Sequence, residues 1–256
     1  MRVSSIQLKI EDRPKAETLG HVLHLIDRAR KSDLILLPEI WPTGYFSFSR
    51  YAGDAEGLNG PTVTAIQKKA KEIKSHIFMG SFVEKRGGNL YNTSALINPK
   101  GEIIGQYRKI HLFGYQSSER RLLKRGKDIA VVACPWGRTG LSTCYDLRFP
   151  ELFRKMVNRQ AEFFLITSAW PLARLEAWRL FNRARAHENL AWLFSCNCAG
   201  TNEGAKLAGH SMFVNPLGEV VAEAGEGEQI LTADVEEKMV KSARRNFSAL
   251  NDRIFK

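Results

Sequence analysis

Residues 138–170, RTGLSTCYDLRFPELFRKMVNRQAEFFLITSAW, hold a strand, a helix and a second strand in direct succession. RTGLSTC (138–144) predicts the first strand, and PELFRKMVNRQ (150–160) predicts a helix that opens at a proline. EFFLITSAW (162–170) is a continuous apolar run, which is typical of a strand buried on both faces. Strands that alternate with helices are characteristic of α/β proteins, so this stretch sets the fold class.

The alternation of strands and helices recurs at both ends of the chain, and an antiparallel stretch lies between them. VSSIQLKI (3–10) and DLILLPE (33–39) predict strands with an amphipathic helix between them. Turn residues separate the strand-like runs of the middle region. The other predicted elements are a helix over 60–74, strands over 76–85, 90–97, 102–109 and 128–134, a helix over 175–192, a strand over 192–200, a hairpin over 210–225, and a last strand and helix over 230–245.

The number of elements bears on how the sheets are arranged. About fourteen elements are too many for one sheet with helices on its two faces, so two packed sheets are expected. No linker, repeat or low-complexity segment interrupts the pattern, which predicts a single domain over residues 1–256.

The positive charge of the chain raises the question of a nucleic-acid partner. The formal net charge is +11, but the basic residues are dispersed, with small clusters at 68–74, 120–127 and 241–245. No aromatic residues interleave with these clusters, and no helix-turn-helix or zinc-finger spacing accompanies them. We therefore expect no nucleic-acid partner, and a basic nucleic-acid-binding protein with a vestigial pocket stays open only as a minor alternative.

The cysteines and the N-terminus predict a cytoplasmic protein without a membrane segment. No apolar stretch is long enough to span a bilayer, and the first residues lack the features of a signal peptide. The four cysteines form no C-x-x-C pair, so neither a disulfide nor a metal site is expected. Cys134, Cys196 and Cys198 lie beside apolar runs and are predicted to be packing residues.

Three side chains that could take part in catalysis lie where predicted strands end. Glu39 ends DLILLPE, Lys109 ends EIIGQYRK, and Cys144 ends RTGLSTC. Functional sites are usually built where buried strands end, so these three side chains can meet. In such a group Glu39 suits a general base, Cys144 a nucleophile, and Lys109 a cation that promotes thiolate formation and stabilises an oxyanion.

The spacing alone leaves a rival for the general base. Histidine is the usual base for a catalytic cysteine, so His111 or His210 could pair with Cys144. The backbone N–H of Tyr145 is a second candidate for the oxyanion donor, because it follows the cysteine directly.

An ordered set of motifs resembles the nitrilase superfamily of carbon–nitrogen hydrolases. The resemblance covers nearly the whole chain and implies a four-layer α-β-β-α sandwich, with two mixed sheets face to face and helices outside. It also implies homodimers formed through helices such as 150–160 and 175–190, with a C-terminal segment (about 236–256) that reaches across. The motifs are LLPEIWPTGY (36–45), YRKIHLF (107–113), STCYDLRFPEL (142–152), SAWP (168–171), RARAHEN (183–189) and GHSMFVNPLGE (209–219).

The resemblance assigns a role to each candidate residue. It implies that Glu39 is the general base, that Lys109 stabilises the oxyanion, and that Cys144 is the nucleophile. It adds Glu119, which would orient Lys109 and position substrate or water. His111 then becomes a packing or hydrogen-bonding residue. In the dimer, Trp178, Phe181 and Ala184 would face the partner, with ordinary core packing as the alternative.

The residues after the cysteine bear on the substrate. CYDLRFPE resembles the amidase branches, including omega-amidases, which implies hydrolysis of a small linear amide through a thioester, with release of ammonia. A nitrile or an N-carbamoyl substrate is the alternative. No cofactor is expected. Four residues are predicted to bind substrate: Tyr145 through its N–H, Phe113 and Trp170 as pocket walls, and Arg174 as an anchor for a carboxylate. Arg148 is predicted to be structural and paired with Asp146 or Glu151.

Overall fold

The computed structural model describes residues 1–254, which form strands, helices and three short 3₁₀ turns. The strands are β1 Arg2–Gln7, β2 Lys9–Ile10, β3 Leu34–Leu36, β4 His76–Arg86, β5 Asn89–Ile97, β6 Ile103–Arg108, β7 Val131–Cys134, β8 Gly137–Thr143, β9 Phe163–Ser168, β10 Trp192–Asn197, β11 Ala199–Asn202, β12 Ala205–Lys206, β13 Met212–Val214, β14 Val220–Glu223 and β15 Gln229–Asp234. The helices are α1 Lys15–Arg28, α2 Tyr51–Asp54, α3 Pro61–Ile73, α4 Glu119–Leu122, α5 Pro150–Asn158, α6 Leu175–Asn189 and α7 Met239–Asn246. The 3₁₀ turns are Phe48–Arg50, Cys144–Arg148 and Leu172–Arg174.

Two six-stranded mixed sheets make up the centre of the molecule. The first has the strand order β15-β1-β3-β4-β5-β6, and the second has the order β14-β13-β10-β9-β8-β7. In each sheet three neighbouring strands are parallel, β1-β3-β4 in the first and β10-β9-β8 in the second. All other pairs of neighbouring strands in the two sheets are antiparallel. Parallel strands joined through helices and antiparallel strands joined through hairpins account for the mixture.

The alternation of side chains along β3 shows how the layers stack. Leu34 and Leu36 belong to the core that also holds Phe163 and Phe194 of the second sheet. Ile35 belongs to the second hydrophobic core, together with residues of α1 and α3. Successive strand residues point to opposite faces, so one face of this sheet packs on the other sheet and the opposite face packs on helices.

The second sheet is covered in the same way by α5 and α6, which place Phe153 and Trp178 in its core. The order of layers is therefore helices, sheet, sheet, helices, as the sequence predicted. None of the helices in the described part has both the length and the apolar character needed to cross a bilayer.

Two predicted strands are shorter in the structure than in the sequence analysis. The strand over 3–10 breaks after Gln7, and the strand over 192–200 breaks after Asn197. At these points both segments leave their large sheets. They pair with each other, with Lys9 beside Ala199, in a three-stranded sheet of order β12-β11-β2. This small sheet was not predicted, because its strands are only two to four residues long and carry no periodic pattern.

Of the predictions about the partner surface, the one for Trp178 is wrong, and the one for the C-terminal segment stays a prediction. Trp178 does not face outward, since its side chain is buried and its Nε1 donates to the carbonyl oxygen of His210 at 2.7 Å. The C-terminal segment contacts its own chain, for example through Arg244, which donates to the carbonyl oxygen of Ala161 at 2.7 Å. The end of that segment, residues 255 and 256, lies outside the described residues.

Candidate active site

Cys144 stands at a sharp change of direction between a strand and a turn. Strand β8 ends at Thr143, and Cys144 has a φ of +49°, which is uncommon for a residue with a side chain. Thr143 pairs with Thr167 in the neighbouring strand β9, so Cys144 and Ser168 leave the sheet side by side. A backbone held in a sparsely populated conformation needs support from its surroundings, and such positions are frequent in active sites.

Asp146 supplies much of that support. Its carboxylate accepts hydrogen bonds from the backbone N–H of Thr143 at 2.9 Å and from the hydroxyl of Tyr107 at 2.7 Å. It also accepts from the backbone N–H of His111 at 3.1 Å and lies 2.7 Å from the Nδ1 of that ring. The turn that presents Cys144 is therefore tied to the segment that follows β6.

The two histidines that could have served as the base are engaged elsewhere. His111 is paired with Asp146, and its ring stacks on Phe149 with a centroid distance of 3.8 Å. His210 is paired with Glu223 at 2.7 Å. Among the described residues neither ring forms a hydrogen bond with Cys144, so the geometry does not provide a Cys-His pair.

Lys109 lies at the centre of a buried charged group. Its Nζ is 2.8 Å from Oε1 of Glu39 and 2.9 and 3.0 Å from the two oxygens of Glu119. All three side chains are fully buried. Burying charged groups costs free energy because they lose their contacts with water. The cost is offset only when each charge is paired and hydrogen-bonded.

Glu39 reaches this group from a segment that bridges the two sheets. It follows β3, its backbone N–H donates to the carbonyl oxygen of Ser168 at 3.2 Å, and its Oε2 accepts from the N–H of Ala169 at 2.9 Å. The chain before Glu39 passes very close to β4, where a Cβ at Gly80 would collide with the carbonyl oxygen of Pro38. Gly80 also has a φ of +67°, so glycine suits this position on both counts.

Glu119 is the first residue of the short helix α4, and four neighbours donate hydrogen bonds to it. Besides Lys109, these are the backbone N–H of Phe113 at 2.7 Å, the hydroxyl of Tyr45 at 3.2 Å and the Nδ2 of Asn92 at 3.0 Å. Glu119 is thus fully buried and has no contact with solvent.

Sequence reasoning missed Asn92 and gave Tyr45 no role. Asn92 lies in β5 and donates from its Nδ2 to both Glu39, at 2.8 Å, and Glu119. Tyr45 places its ring 5.4 Å from the Nζ of Lys109. A signal for Asn92 existed, because asparagine is depleted in strands, and a polar side chain inside one needs a partner.

The surroundings shift the pKa values of the charged group. Burial alone would lower the pKa of Lys109, but the carboxylates of Glu119 and Glu39 raise it well above its ordinary value. Burial raises the pKa of Glu119, with Lys109 opposing and Glu39 adding to the effect. The ammonium is therefore a permanent charge at neutral pH.

The thiol of Cys144 is not ionised in advance. Burial and then the negative charge of Glu39 raise the pKa of the thiol well above its ordinary value, while Lys109 lowers it only in part. The sequence analysis expected Lys109 to promote the thiolate, and this effect is outweighed. Nucleophilic attack by this thiol would therefore need a base that takes its proton.

A narrow cavity opens onto Cys144. Its walls are aromatic and carry two guanidinium groups, those of Arg148 and Arg174. All four residues predicted to bind substrate line it. The lining residues are Tyr45, Phe46, Phe113, Cys144, Tyr145, Arg148, Ala169, Trp170, Pro171 and Arg174.

Arg148 corrects a prediction. It forms no ion pair with Asp146 or Glu151, because Asp146 is already occupied by Tyr107 and His111. Its guanidinium instead lies 5.2 Å from the ring of Trp170 and 5.0 Å from that of Phe181. Arg148 is therefore a wall of the cavity rather than a structural ion pair.

Arg174 lies nearer to the mouth of the cavity. Its guanidinium is 5.2 Å from the ring of Phe113 and 5.5 Å from that of Tyr115, which is 63% exposed. Within residues 1–254, no cluster of three or more His, Cys, Asp or Glu side chains is arranged to hold a metal ion.

Comparisons with known proteins agree with this geometry. A family model described as carbon-nitrogen hydrolase matches residues 2–245. The chain is 34% identical over 260 residues to a 2-oxoglutaramate amidase of Paenarthrobacter nicotinovorans, covering 98% of this chain and 88% of that protein. It is 34% identical over 257 residues to omega-amidase NIT2 of Bos taurus, covering 95% and 91%.

The fold is shared with solved structures as well. XC1258 from Xanthomonas campestris, a CN-hydrolase superfamily protein, is similar with a TM-score of 0.93 and 29% sequence identity, covering 100% of this chain and 98% of that one. Both the resemblance seen in the motifs and the fold it implied are confirmed. The chain belongs to the carbon–nitrogen hydrolase family and is a hydrolase of carbon–nitrogen bonds.

Proposed function

We propose that this enzyme hydrolyses the terminal amide of a small linear molecule that also carries a carboxylate, such as 2-oxoglutaramate. The observation that carries the proposal is the buried Lys109 ammonium between Glu39 and Glu119, beside a cysteine that opens onto a cavity with two guanidinium groups. Relatives named 2-oxoglutaramate amidase and omega-amidase support this substrate class.

The first half-reaction forms a thioester. Glu39 takes the thiol proton as the sulfur of Cys144 attacks the amide carbonyl carbon, so that the S–C bond forms as the thiol loses its proton. The carbonyl oxygen becomes an oxyanion, for which the ammonium of Lys109 and the backbone N–H of Tyr145 are the donors. Glu39 then passes the proton to the leaving nitrogen, the C–N bond breaks, and ammonia departs.

The second half-reaction releases the acid. A water molecule takes the place of ammonia, and Glu39 removes one of its protons as the oxygen attacks the thioester carbon. The same two donors stabilise the second oxyanion. The C–S bond breaks, the proton returns to sulfur, and the enzyme is restored. Glu119 takes no proton in this scheme and holds Lys109 in position through its two oxygens.

The carboxylate end of the substrate is assigned to Arg148 and Arg174. Neither guanidinium has a carboxylate partner among the described residues, and both face aromatic rings on the cavity wall. A planar guanidinium can bind a carboxylate through two parallel hydrogen bonds. The aromatic rings hold each guanidinium without neutralising its charge, which leaves the charge available to substrate.

The direct test is Cys144→Ala in an ammonia-release assay with 2-oxoglutaramate. We expect the rate to fall by at least about 10³-fold, because the nucleophile is lost. Intact-mass measurement of the wild type during turnover should show a covalent acyl adduct that the variant lacks. Cys196→Ala is the matched control, since Cys196 is also buried but contacts neither Glu39 nor Lys109, and it should keep wild-type turnover.

Other outcomes of that assay decide between substrate classes. A wild type that turns over nitriles faster than amides would replace the proposal with a nitrilase. Carbon dioxide release from N-carbamoyl compounds would indicate a carbamoyl hydrolase. Full activity of Cys144→Ala would exclude the mechanism altogether. Salt-dependent binding of nucleic acid without turnover of any compound would favour the nucleic-acid alternative.

The carboxylate assignment is tested with Arg148→Met and Arg174→Met on two substrates of equal length, one an ω-amide with a carboxylate and the other its uncharged methyl ester. For the charged substrate we expect each variant to raise KM by about 10- to 100-fold, because a charge-assisted contact is lost. For the uncharged substrate KM should change by less than about threefold. Equal effects on both substrates would show that the arginines only shape the cavity.

We further propose that the chain is a single domain that works in the cytoplasm as a homodimer. Four free thiols are compatible with a reducing compartment. A shallow groove between α6 and the β13–β14 turn, lined by Leu180, Ala184 and Leu217, supports association through α6. Leu180 is 62% exposed and Leu217 47% exposed, which is unusual for large apolar side chains that cluster.

A further inference from the structure

Asn92 joins the two buried glutamates, and the mechanism above gives it no part. Its Nδ2 donates to Oε1 of Glu39 at 2.8 Å and to Oε1 of Glu119 at 3.0 Å. The same two oxygen atoms accept from Nζ of Lys109 at 2.8 and 2.9 Å. Four atoms from four residues thus form a closed ring, in which each oxygen lies between an ammonium and an amide.

The backbone of Asn92 fixes the ring from a further side. Its carbonyl oxygen accepts the backbone N–H of Lys109 at 2.9 Å. Asn92 therefore holds the main chain at Lys109 and, through its side chain, both carboxylates that this lysine contacts. A single residue on β5 thus contacts Glu39, Glu119 and the main chain at Lys109.

The orientation of the Asn92 amide leaves its own oxygen without a partner. Oδ1 is buried and accepts no hydrogen bond within the described part of the chain. The opposite orientation would point that oxygen at two carboxylates, which is worse. An unsatisfied buried carbonyl is costly, and proteins keep such groups where they serve a function.

The charge of an amide matters as much as its shape. The ring contains two carboxylates and one ammonium, so the two oxygens that share the ammonium gain from a second shared donor. A second cation would compete with Lys109 for the oxyanion, whereas an apolar residue would leave the two carboxylates facing each other. An amide donates to both without adding charge, which leaves Lys109 as the cation of the ring.

We infer that Asn92 is a positioning residue for the amide hydrolysis proposed above, holding Glu39 ready as the base by binding it and Glu119 to one amide group. The role rests on that proposed function. Besides the two glutamates, the titratable groups around the ring are Lys109, Cys144, Cys198, Tyr45 and Tyr51.

The test compares Asn92→Leu with Thr93→Val. Thr93 is the next residue on β5 and is also fully buried, and its hydroxyl donates to a different glutamate, Glu84, at 2.7 Å. Each substitution removes a buried hydrogen bond to a carboxylate from the same strand. Only the first one touches the ring, so a loss of stability alone should look the same in both variants.

For Asn92→Leu we expect kcat to fall by about 100-fold while KM changes by less than about threefold. The acidic limb of the kcat/KM profile should also move to higher pH, because the Asn92 hydrogen bond lowers the pKa of Glu119 and its loss lets that carboxylate hold its proton more tightly. Thr93→Val should keep the wild-type profile. Thermal unfolding of both variants measures the fraction folded, to which each rate is normalised.

Three results would overturn the role. One is an Asn92→Leu profile that overlays the wild type, and another is the same shift in Thr93→Val. If Asn92→Leu does not fold, Asn92→Asp keeps the shape and replaces the donor, and a wild-type profile for that variant is the third. A wild type that releases no ammonia from any ω-amide would overturn the proposed function itself, which separates that failure from a failure of Asn92 alone.

Discussion

Arg108 and Lys109 are adjacent in the chain, and both pair with buried glutamates, yet their surroundings differ. Arg108 forms two hydrogen bonds with Glu84, at 2.6 and 2.7 Å, and one cation meets one carboxylate. Lys109 lies between two carboxylates and is fully buried. The two side chains lie on opposite faces of the sheet, as neighbouring strand residues do.

The difference separates a structural ion pair from a reactive one. In the Arg108 pair one positive charge meets one negative charge. The planar guanidinium is held by two parallel hydrogen bonds to the Glu84 carboxylate, so the pair is not expected to exchange partners. The Lys109 group has one carboxylate more than it has cations, and in the proposed mechanism its ammonium also donates to the oxyanion. Burial and ion pairing are common to both, so they do not identify an active site. The imbalance of charge does.

The most direct test of the difference between the two ion pairs is to remove each cation in turn. Lys109→Met should lower kcat by at least about 10³-fold, because an oxyanion donor is lost and two carboxylates are left unpaired. Arg108→Met should lower the free energy of unfolding by about 3 kcal/mol and leave kcat within about threefold of the wild type. Ammonia release and chemical unfolding measure the two quantities.

An equal loss of kcat in both variants would contradict the distinction, since it would mean that turnover depends on either ion pair alike.

Lys109→Arg is a further variant, because it keeps the positive charge but changes the geometry of the hydrogen-bond donors. We expect it to recover less than a tenth of the lost activity, since a guanidinium does not fit a site built around an ammonium.

A smaller effect concerns the pH dependence of stability. Burial raises the native-state pKa of Glu119, with Lys109 opposing and Glu39 adding to the effect, so the native state holds this proton more tightly than the unfolded chain does. The resulting stabilisation is full below the ordinary carboxyl pKa and is lost as pH rises through the raised value. Glu119→Gln cannot titrate and should lack this loss.

The measurement is urea unfolding of wild type and Glu119→Gln at several pH values from about 4 to 7. The difference in free energy of unfolding should move in favour of the variant as the pH rises. Parallel curves would show that Glu119 titrates alike in the native and unfolded states.

The fold could be predicted because its strands are long apolar or alternating runs. The segments around β3 and β9 are buried on both faces. Their continuous apolar composition indicates this burial without any knowledge of the neighbouring strands. The same reasoning placed Glu39 and Lys109 at strand ends, where the structure brings them together with Glu119.

The features that were missed depend on partners far away in the sequence. Asp146 is two residues from Arg148, so a local ion pair was expected, but Tyr107 and His111 occupy that carboxylate instead. Asn92 sits in an ordinary strand, and its partners lie 53 and 27 residues away. No local pattern contains these contacts, because the order of strands within the first sheet creates those of Asn92 and the stacking of the two sheets creates those of Asp146.

The hydrogen bonds between Glu39 and the segment after β9 have a consequence for folding. Glu39 and Lys109 follow strands of the first sheet and Cys144 follows a strand of the second, so the catalytic centre proposed above spans the boundary between the two sheets. A chain in which the sheets have formed but not yet docked holds every reactive residue and no working centre. Ammonia release therefore reports whether the two sheets have docked. In a refolding experiment we expect turnover to return only after the helices and strands have formed.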